Sequence, residues 1–543
     1  MNEFELKFEV PAASLNKLAT AMQAKKAQLQ LLQACYFDTQ DQALAKHGVV
    51  IRLRREDTIW VQTIKASTNN ALERLEHNLI IKNNLTIEHS PNANNTAMPS
   101  IDLTQNIPKN IKQLLEAILK INLNNHSPAL VPVYETDVHR LRFNLVHANS
   151  TIEIALDQGM IESNGKSVAI CELEFELKEG KPKHVIAIAR KWRANYGLHI
   201  SIISKSMKGQ RLYSDGEVRS LQAIDIVDAK HKPPQHANAL IKTVFSSCIN
   251  QILANASELA NIANNKTYNK LPDHILLDKT QAKITQEILC IHQLRVAIRR
   301  LRIALREFKS LAVGVNLAWE KPLIDVFREL GKRRDADHLT GQLQPEMIKN
   351  GSPTFKLQSK NSKAIDVGVV VRAEKFQDVL MCLIGFVNSQ KLNVQADKDN
   401  ANDAKVSKYL KKRLNHWYDK SVAKGKKFVS LTQTQQHDVR KDFKKLRYLS
   451  EFLIPNFANS AKTCQRAKDF EASLKPVQDA LGFYNDELVA LETYQSLAKS
   501  EPKALYNVGW LNAKREMNAE KCQHAIDEFT KKTSDKKLFW QMD

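Results

Sequence analysis

Charged residues occupy every second position in three short segments of the first half of this chain. Glu3, Glu5 and Lys7 alternate with Phe4, Leu6 and Phe8. Arg52 and Arg54 alternate with Ile51 and Leu53, and Glu172, Glu174 and Glu176 alternate with Leu173, Phe175 and Leu177. In a β-strand successive side chains point to opposite faces, so each segment presents one apolar and one charged face. Strand-like runs span Phe4–Val10, Val49–Arg55, Ile59–Lys65, Thr151–Asp157 and Cys171–Leu177, with helical patterns at Ile111–Ile121 and Lys183–Tyr196. Two arrangements satisfy the alternation. One is an open sheet with its charged face in water. The other is a closed barrel whose apolar faces lie outward under helices and whose charged faces line a lumen.

The closed form has its own chemistry. Crowded carboxylates repel one another unless a hard cation such as Mg²⁺ or Mn²⁺ sits among them. Crowded Arg and Lys suit phosphate oxygens, which Arg binds bidentately. Together they describe a site for a phosphate chain and a divalent metal.

The second half reads differently. The 543 residues are long enough for several cores. From about Ala237 onward helical periodicity replaces strand alternation, after a polar stretch holding Pro233-Pro234 that predicts a stiff linker. The segment His292-Gln-Leu-Arg295-Val-Ala-Ile-Arg299-Arg300-Leu-Arg302 recurs as His437-Asp-Val-Arg440-Lys-Asp-Phe-Lys444-Lys445-Leu-Arg447. At about 100° per residue, His292, Arg295, Arg299 and Arg302 fall within an arc of roughly 80°. Leu294, Ile298, Leu301 and Leu305 form the adjacent apolar stripe. His437, Arg440, Lys444 and Arg447 repeat the basic face beside Val439, Phe443 and Leu446. Leu330-Gly331 to Asp335 is echoed by Leu481-Gly482 to Asp486, with Asn485 where the first copy has Arg334. The pattern predicts an internal duplication of helical bundles. Polar segments at 344–363 and 395–405 predict loops, and Asn-rich stretches at 83–84 and 92–95 predict others.

Charge follows the same division. Residues 1–215 hold 26 Lys and Arg against 22 Asp and Glu, whereas the remainder holds 54 against 37, within a net charge of +21. A polyanionic partner follows for the second half. The hydrophobic fraction of 43% excludes a disordered chain. No run of about 18 apolar residues predicts a membrane span. The first residues carry no basic and apolar leader, and the seven cysteines are scattered without a C-x-x-C pair, so a cytoplasmic protein without disulfides or zinc is expected. The basic helices carry no interleaved aromatic platform for nucleic acid.

Glu3-Phe4-Glu5-Leu6-Lys7 resembles the E-x-E-x-K signature of the CYTH superfamily, the triphosphate tunnel metalloenzymes. Further motifs follow in the family's order: Tyr36-Phe37-Asp38-Thr39, Gly48 before Arg52-Leu53-Arg54, Gln62-Thr63-Ile64-Lys65, Thr136 before Arg140, Glu153 before Asp157, Cys171–Glu176, and Ser204-Lys205-Ser206 as a closing basic strand. Asn78 departs from the pattern, since many relatives carry an acid there. The duplicated helices resemble the CHAD domain, which commonly follows a CYTH domain and whose relatives bind inorganic polyphosphate. The resemblance implies an α+β chain. An antiparallel eight-stranded β tunnel over residues 1–215 would be followed by a linker at 216–236, a duplicated all-α domain over 237–500 and a helical extension over 501–543. It implies Glu3, Glu5, Glu172 and Glu174 as metal ligands, with Mg²⁺ as cofactor or Mn²⁺ in its place. Lys7, Arg52, Arg54, Lys65, Arg140 and Lys205 would hold phosphate, and Lys65, Glu153, Asp157 and Glu176 would serve catalysis or metal coordination. His292, Arg295, Arg299, Arg302, His437, Arg440, Lys444 and Arg447 would bind polyphosphate. The implied activity is hydrolysis of inorganic tripolyphosphate to pyrophosphate and phosphate. Thiamine triphosphate or nucleoside triphosphate chemistry in the same tunnel is an alternative, as is a non-catalytic polyphosphate-granule protein. No specific nucleic acid and no membrane is expected as partner.

Overall fold

The computed structural model describes residues 2–542 except 57–58, 69–70, 82–97, 104–106, 125–127, 215–236, 266–272, 313, 356–364, 390–400 and 535–536. The predicted linker and the Asn-rich stretches at 83–84 and 92–95 lie outside the described residues. The strands are β1 (Asn2–Glu9), β2 (Gln28–Asp38), β3 (Val49–Glu56), β4 (Ile59–Ser67), β5 (Glu73–Ile81), β6 (Val131–His147), β7 (Ser150–Ser163), β8 (Lys166–Glu179) and the short β9 (His199–Ile200). Among and after them lie α1 (Ala12–Ala24), α2 (Ala43–Lys46), α3 (Lys109–Leu119), α4 (Pro182–Tyr196) and α5 (Lys205–Tyr213).

The sheet runs β5-β4-β3-β2-β6-β7-β8-β1, and β1 pairs back onto β5 through Asn2↔Leu75, Glu3↔Arg74 and Phe4↔Glu73. An eight-stranded antiparallel barrel is thereby closed, and β9 adds to the far end of β1 at Phe8↔Ile200. The apolar faces point outward. Phe4, Leu6 and Phe8 are buried in one cluster with Leu18 and Met22 of α1 and Val185, Ile186 and Ala189 of α4. Val49, Ile51, Ile64 and Ala66 are buried with Ile111 and Leu115 of α3. These helices take the apolar faces out of water, so the charged faces turn inward and the open-sheet arrangement is excluded.

The second half is helical: α6 (Ala237–Asn265), α7 (Asp273–Glu307), α8 (Glu320–His338), α9 (Gln344–Lys349), α10 (Val367–Arg372), α11 (Glu374–Val387), α12 (Ala401–Gly425), α13 (Gln433–Phe457), α14 (Ala461–Leu497) and α15 (Ala504–Ser534). Residues 344–349 and 401–405 are therefore helical, where loops were expected; a π-helical turn at Leu339–Leu343 carries α8 directly into α9. Both predicted stripes, Leu294, Ile298, Leu301 and Leu305 on α7 and Val439, Phe443 and Leu446 on α13, are completely buried. Arg300 is also completely buried and pairs with Glu451 of α13 at 2.7 Å. One apolar cluster runs from Phe8, Leu198 and Ile200 beside the barrel to Leu259 of α6 and Phe376 and Leu380 of α11. The two halves share a core.

Candidate active site

The barrel encloses a cavity of about 290 Å³ lined by Glu3, Glu5, Lys7, Arg52, Arg54, Lys65, Arg140, Glu153, Asp157, Glu174, Glu176 and Lys205. Strand register explains the grouping. Asp157 of β7 stands opposite Arg140 of β6 on one side and Glu172 of β8 on the other, and Glu174 stands opposite Lys7 of β1. Asp157, Glu172 and Glu174 each bring one carboxylate oxygen within 4.8 Å of the others. Lys205 Nζ lies 2.6, 2.5 and 2.7 Å from Asp157, Glu172 and Glu174. Arg140 donates to both Asp157 oxygens at 2.7 and 2.6 Å and reaches Glu174 at 2.5 Å. An all-oxygen set this close suits a hard divalent cation, and a basic side chain fills the same electrostatic role among the three acids.

The other acids expected at the site are distributed around this cluster. Glu3 pairs with Lys65 at 2.8 Å, and Lys65 also holds Glu76 at 2.9 Å. Glu153 pairs with Arg142 at 2.9 Å and Glu176 with Lys178 at 2.8 Å. Glu3 and Glu5 thus line the same lumen without joining the three-carboxylate group.

Electrostatics divide the acids into two kinds. Burial raises Glu3 to about 8, against the pull of Lys65. Burial, then the charge of Glu174, raises Glu5. For Glu172 burial acts upward, but the ammoniums of Lys205, Lys7 and Lys208 outweigh it and hold the carboxyl at about 2. Glu174 is likewise held down, with Lys205 and Arg140 overcoming burial. Burial lowers Lys7 to about 8. Glu172 and Glu174, beside Lys205, are thus held in the ionised form.

Lys205 does not sit on a strand, as expected from the motif. Ser204 caps α5 by accepting from Met207 N at 3.1 Å, and Lys205 is the first residue of that helix. Ser-Lys-Ser is a helix start here because Ser at the N-cap satisfies a backbone donor. Several lumen residues were not singled out: Arg142, Lys178, Arg74 and Glu76 line the cavity, and Lys208 lies 3.5 Å from Glu172. Arg142 continues the period-two series from Arg140, and Lys208 is one helical turn beyond Lys205, so both were findable by spacing. Asn78, the departure from the motif, accepts from Thr63 at 2.8 Å and donates to Glu76 at 3.0 Å. Asp38 of the Tyr36–Thr39 motif is structural, since its carboxylate accepts from Thr39, Leu44 and Ala45 backbone N–H groups at 2.7, 2.9 and 3.0 Å.

In the helical half the two basic faces converge. Arg299 of α7 and Arg440 of α13 both depress Lys444, which burial first and these cations second lower to about 5. Arg440 itself is lowered to about 10 by burial and then by Arg299. Arg334 of the first Leu-Gly segment pairs with Asp486 of the second at 2.9 Å, tying the repeats together. Arg295 lies 4.2 Å over the Phe327 ring and donates to the Phe327 carbonyl at 2.5 Å. Arg302 pairs with Glu320 at 3.4 Å, Arg447 reaches Gln478 at 2.7 Å, and His437 contacts Asn485 at 3.1 Å. His292 keeps an exposed edge, and partial loss of hydration followed by the charge of Arg334 lowers its pKa. Buried Arg440 Nε has no hydrogen-bond partner.

Comparison with known proteins agrees with this division. Residues 1–209 match the CYTH domain and residues 273–495 the CHAD domain. The inorganic triphosphatase of Haemophilus influenzae is 26% identical over 179 residues, 33% of this chain and 45% of the relative, so the match spans less than half of that protein. Among solved structures, the CHAD domain of Ricinus communis is 17% identical, covering 57% of this chain and 96% of its own, with a TM-score of 0.37. A Hippeastrum protein described as having a dominant triphosphatase activity is 15% identical, covering 39% of this chain and 96% of its own, with a TM-score of 0.24. The chain thus carries a CYTH domain, matched over residues 1–209, followed by a CHAD domain, matched over residues 273–495.

Proposed function

We propose that the barrel hydrolyses inorganic tripolyphosphate to pyrophosphate and phosphate with a divalent metal, Mg²⁺ or Mn²⁺, and that the helical domain binds longer polyphosphate. The observation that carries the first part is the closed lumen in which Asp157, Glu172 and Glu174 lie within 4.8 Å of one another and the Arg52, Arg54 and Arg140 guanidiniums line the same cavity. A bound divalent cation supplies charge neutralisation on phosphate oxygens and a more acidic water. The three carboxylates would hold it where the Lys205 ammonium that stands among the same oxygens gives way to it, with Glu3 and Glu5 as further oxygen donors in the lumen. Arg52, Arg54, Arg140, Lys7, Lys65 and Lys205 would orient the chain and offset charge on its oxygens, which is most of what phosphoryl transfer asks of a protein. Glu153 and Glu176 would orient water.

An inorganic chain is favoured over a nucleotide by the walls. Among the described lining residues Tyr36 is the aromatic one, and its ring is stacked on Tyr134 at 4.5 Å. Nothing else described there offers a base a stacking face. The helical part of the reading rests on Arg299, Arg440 and Lys444 of both repeats crowding one site.

The test is phosphate release from tripolyphosphate, pyrophosphate, long polyphosphate, ATP and thiamine triphosphate, with Mg²⁺, Mn²⁺ or EDTA. Metal-dependent release from tripolyphosphate above all others is expected. Preferential turnover of ATP or thiamine triphosphate would replace the substrate, and inertness toward all five would leave a binding protein.

A further inference from the structure

The residues that carry Lys205 are held from both domains at once. In the stretch before α5, donors alternate in direction. Ile200 N donates to Gln377 Oε1 of α11 at 2.9 Å, and Ile202 N to Ser257 Oγ of α6 at 3.2 Å. Between them Ser201 N donates to the Lys7 carbonyl of β1 at 2.9 Å, and the Lys7 ammonium donates to the Ile203 carbonyl. Gln377 and Ser257 are buried, and Gln377 Nε2 is fixed by the Val371 carbonyl at 2.7 Å.

The same two-sided hold continues along α5. On the barrel side a Cβ at Gly209 would stand 2.2 Å from the Tyr134 ring, so the helix lies flush on β6. On the other side Arg211 forks onto Glu258 of α6, with Nη1 to Oε2 at 3.1 Å and Nη2 to Oε1. Glu258 is 3% exposed. A buried bidentate ion pair contributes little net stability over an apolar contact, but it fixes geometry closely.

We propose that Glu258 of the helical domain is a positioning residue for the tunnel: through Arg211 it sets α5 so that the Lys205 ammonium stands among Asp157, Glu172 and Glu174. The helical domain is then part of the machinery of the barrel. This rests on the reading of the tunnel as a triphosphate site.

The test is a double-mutant cycle in the full-length protein, with kcat and KM for tripolyphosphate and Mg²⁺ measured for Glu258→Gln, Lys205→Met and both together. Glu258→Gln keeps the shape of the side chain and removes its charge. It should lower kcat/KM at least about tenfold, and it should add nothing in the Lys205→Met background, because a residue acting through Lys205 has nothing left to position. The charge swap Arg211→Glu with Glu258→Arg should recover most of the loss. Amide exchange over residues 206–214 should quicken in Glu258→Gln, while polyphosphate affinity of the helical site stays as in the wild type. If Glu258→Gln proves poorly folded, Arg211→Met enters the same cycle in its place. Wild-type kcat/KM in Glu258→Gln, or a loss of equal size with and without Lys205, would overturn the proposal. An unchanged rate in Lys205→Met would instead overturn the tunnel reading, and this proposal with it.

Discussion

Lys444→Met removes the cation that the helical site holds with most difficulty. In the empty protein burial, then Arg299 and Arg440, lower its ammonium to about 5 from an ordinary 10.5. At pH 7 the side chain is therefore neutral, and protonating it there costs about 3 kcal/mol, two pH units at about 1.4 kcal/mol each. A phosphate chain in contact reverses the balance, because a nearby anion favours the charged form. Binding long polyphosphate, whose interior phosphates stay ionised, should then take up one proton at Lys444. Affinity should fall about tenfold per unit rise in pH above 5, until the higher pKa of the complex is passed. His292 and His437, both lowered by burial and by neighbouring cations, face the same reversal, and any proton they take up adds to that of Lys444. Titration calorimetry of the full-length protein in EDTA, at fixed ionic strength and pH 7.5, measures the uptake from the dependence of binding heat on the ionisation enthalpy of the buffer. Lys444→Met should lower the uptake by one proton. The same variant should melt higher when empty at neutral pH: a lysine whose folded pKa is depressed weakens the fold between the folded and unfolded values, and stability climbs as pH rises through that window. Binding heat independent of buffer in the wild type, or equal uptake in the variant, would refute the reasoning.

Three further outcomes follow from the geometry. Asp157→Asn and Glu174→Gln should each lower metal-dependent phosphate release at least about 10²-fold, since each acts on charge at the reacting phosphate; steady-state rates at saturating Mg²⁺ check this. Arg300→Met should cost about 3 kcal/mol in urea unfolding because it removes the buried cation paired with Glu451, and the double variant Arg300→Met with Glu451→Met should recover much of it. Reversing Arg295, Arg299, Arg440 and Lys444 to Glu should abolish polyphosphate binding in a filter assay, whereas reversing Lys411, Lys412, Lys426 and Lys427 should leave most of it; equal losses would mean that only diffuse charge matters.

The strands with one clean apolar face were legible from the residues alone, and those without were not. In β1 and over Cys171–Leu177 of β8 the apolar side chains alternate cleanly toward the cluster that the covering helices complete, so period two stands out. In β2 the consecutive Leu31 and Leu32 point to opposite sides, Leu31 exposed and Leu32 lining the lumen, and the period is lost. Whether charges faced water or a lumen depended on α1, α3 and α4 covering the other side, which no single strand encodes. The basic faces of α7 and α13 could be drawn on separate helical wheels, but their meeting at Lys444 is a tertiary fact. Lys205 was found by motif and misplaced by element, because Ser204 reads equally as a strand residue or a cap.

The closure of the barrel sets an order of assembly during synthesis. β1 emerges first, yet Glu5, Leu6, Lys7 and Phe8 pair with Glu176, Phe175, Glu174 and Leu173 of β8. At about 5–20 residues per second, those partners follow on the order of ten seconds or more later. Until then the stretch of β1 from Glu5 to Phe8 lacks its β8 partner, an edge open to mispairing or to a chaperone. Ser257 and Glu258, which fasten the Lys205 segment, emerge later still. A nascent chain therefore holds every strand of its barrel before the first helix of the second half has left the ribosome, and the Lys205 segment is fastened only afterwards, so premature termination between those points yields a barrel without its fastening.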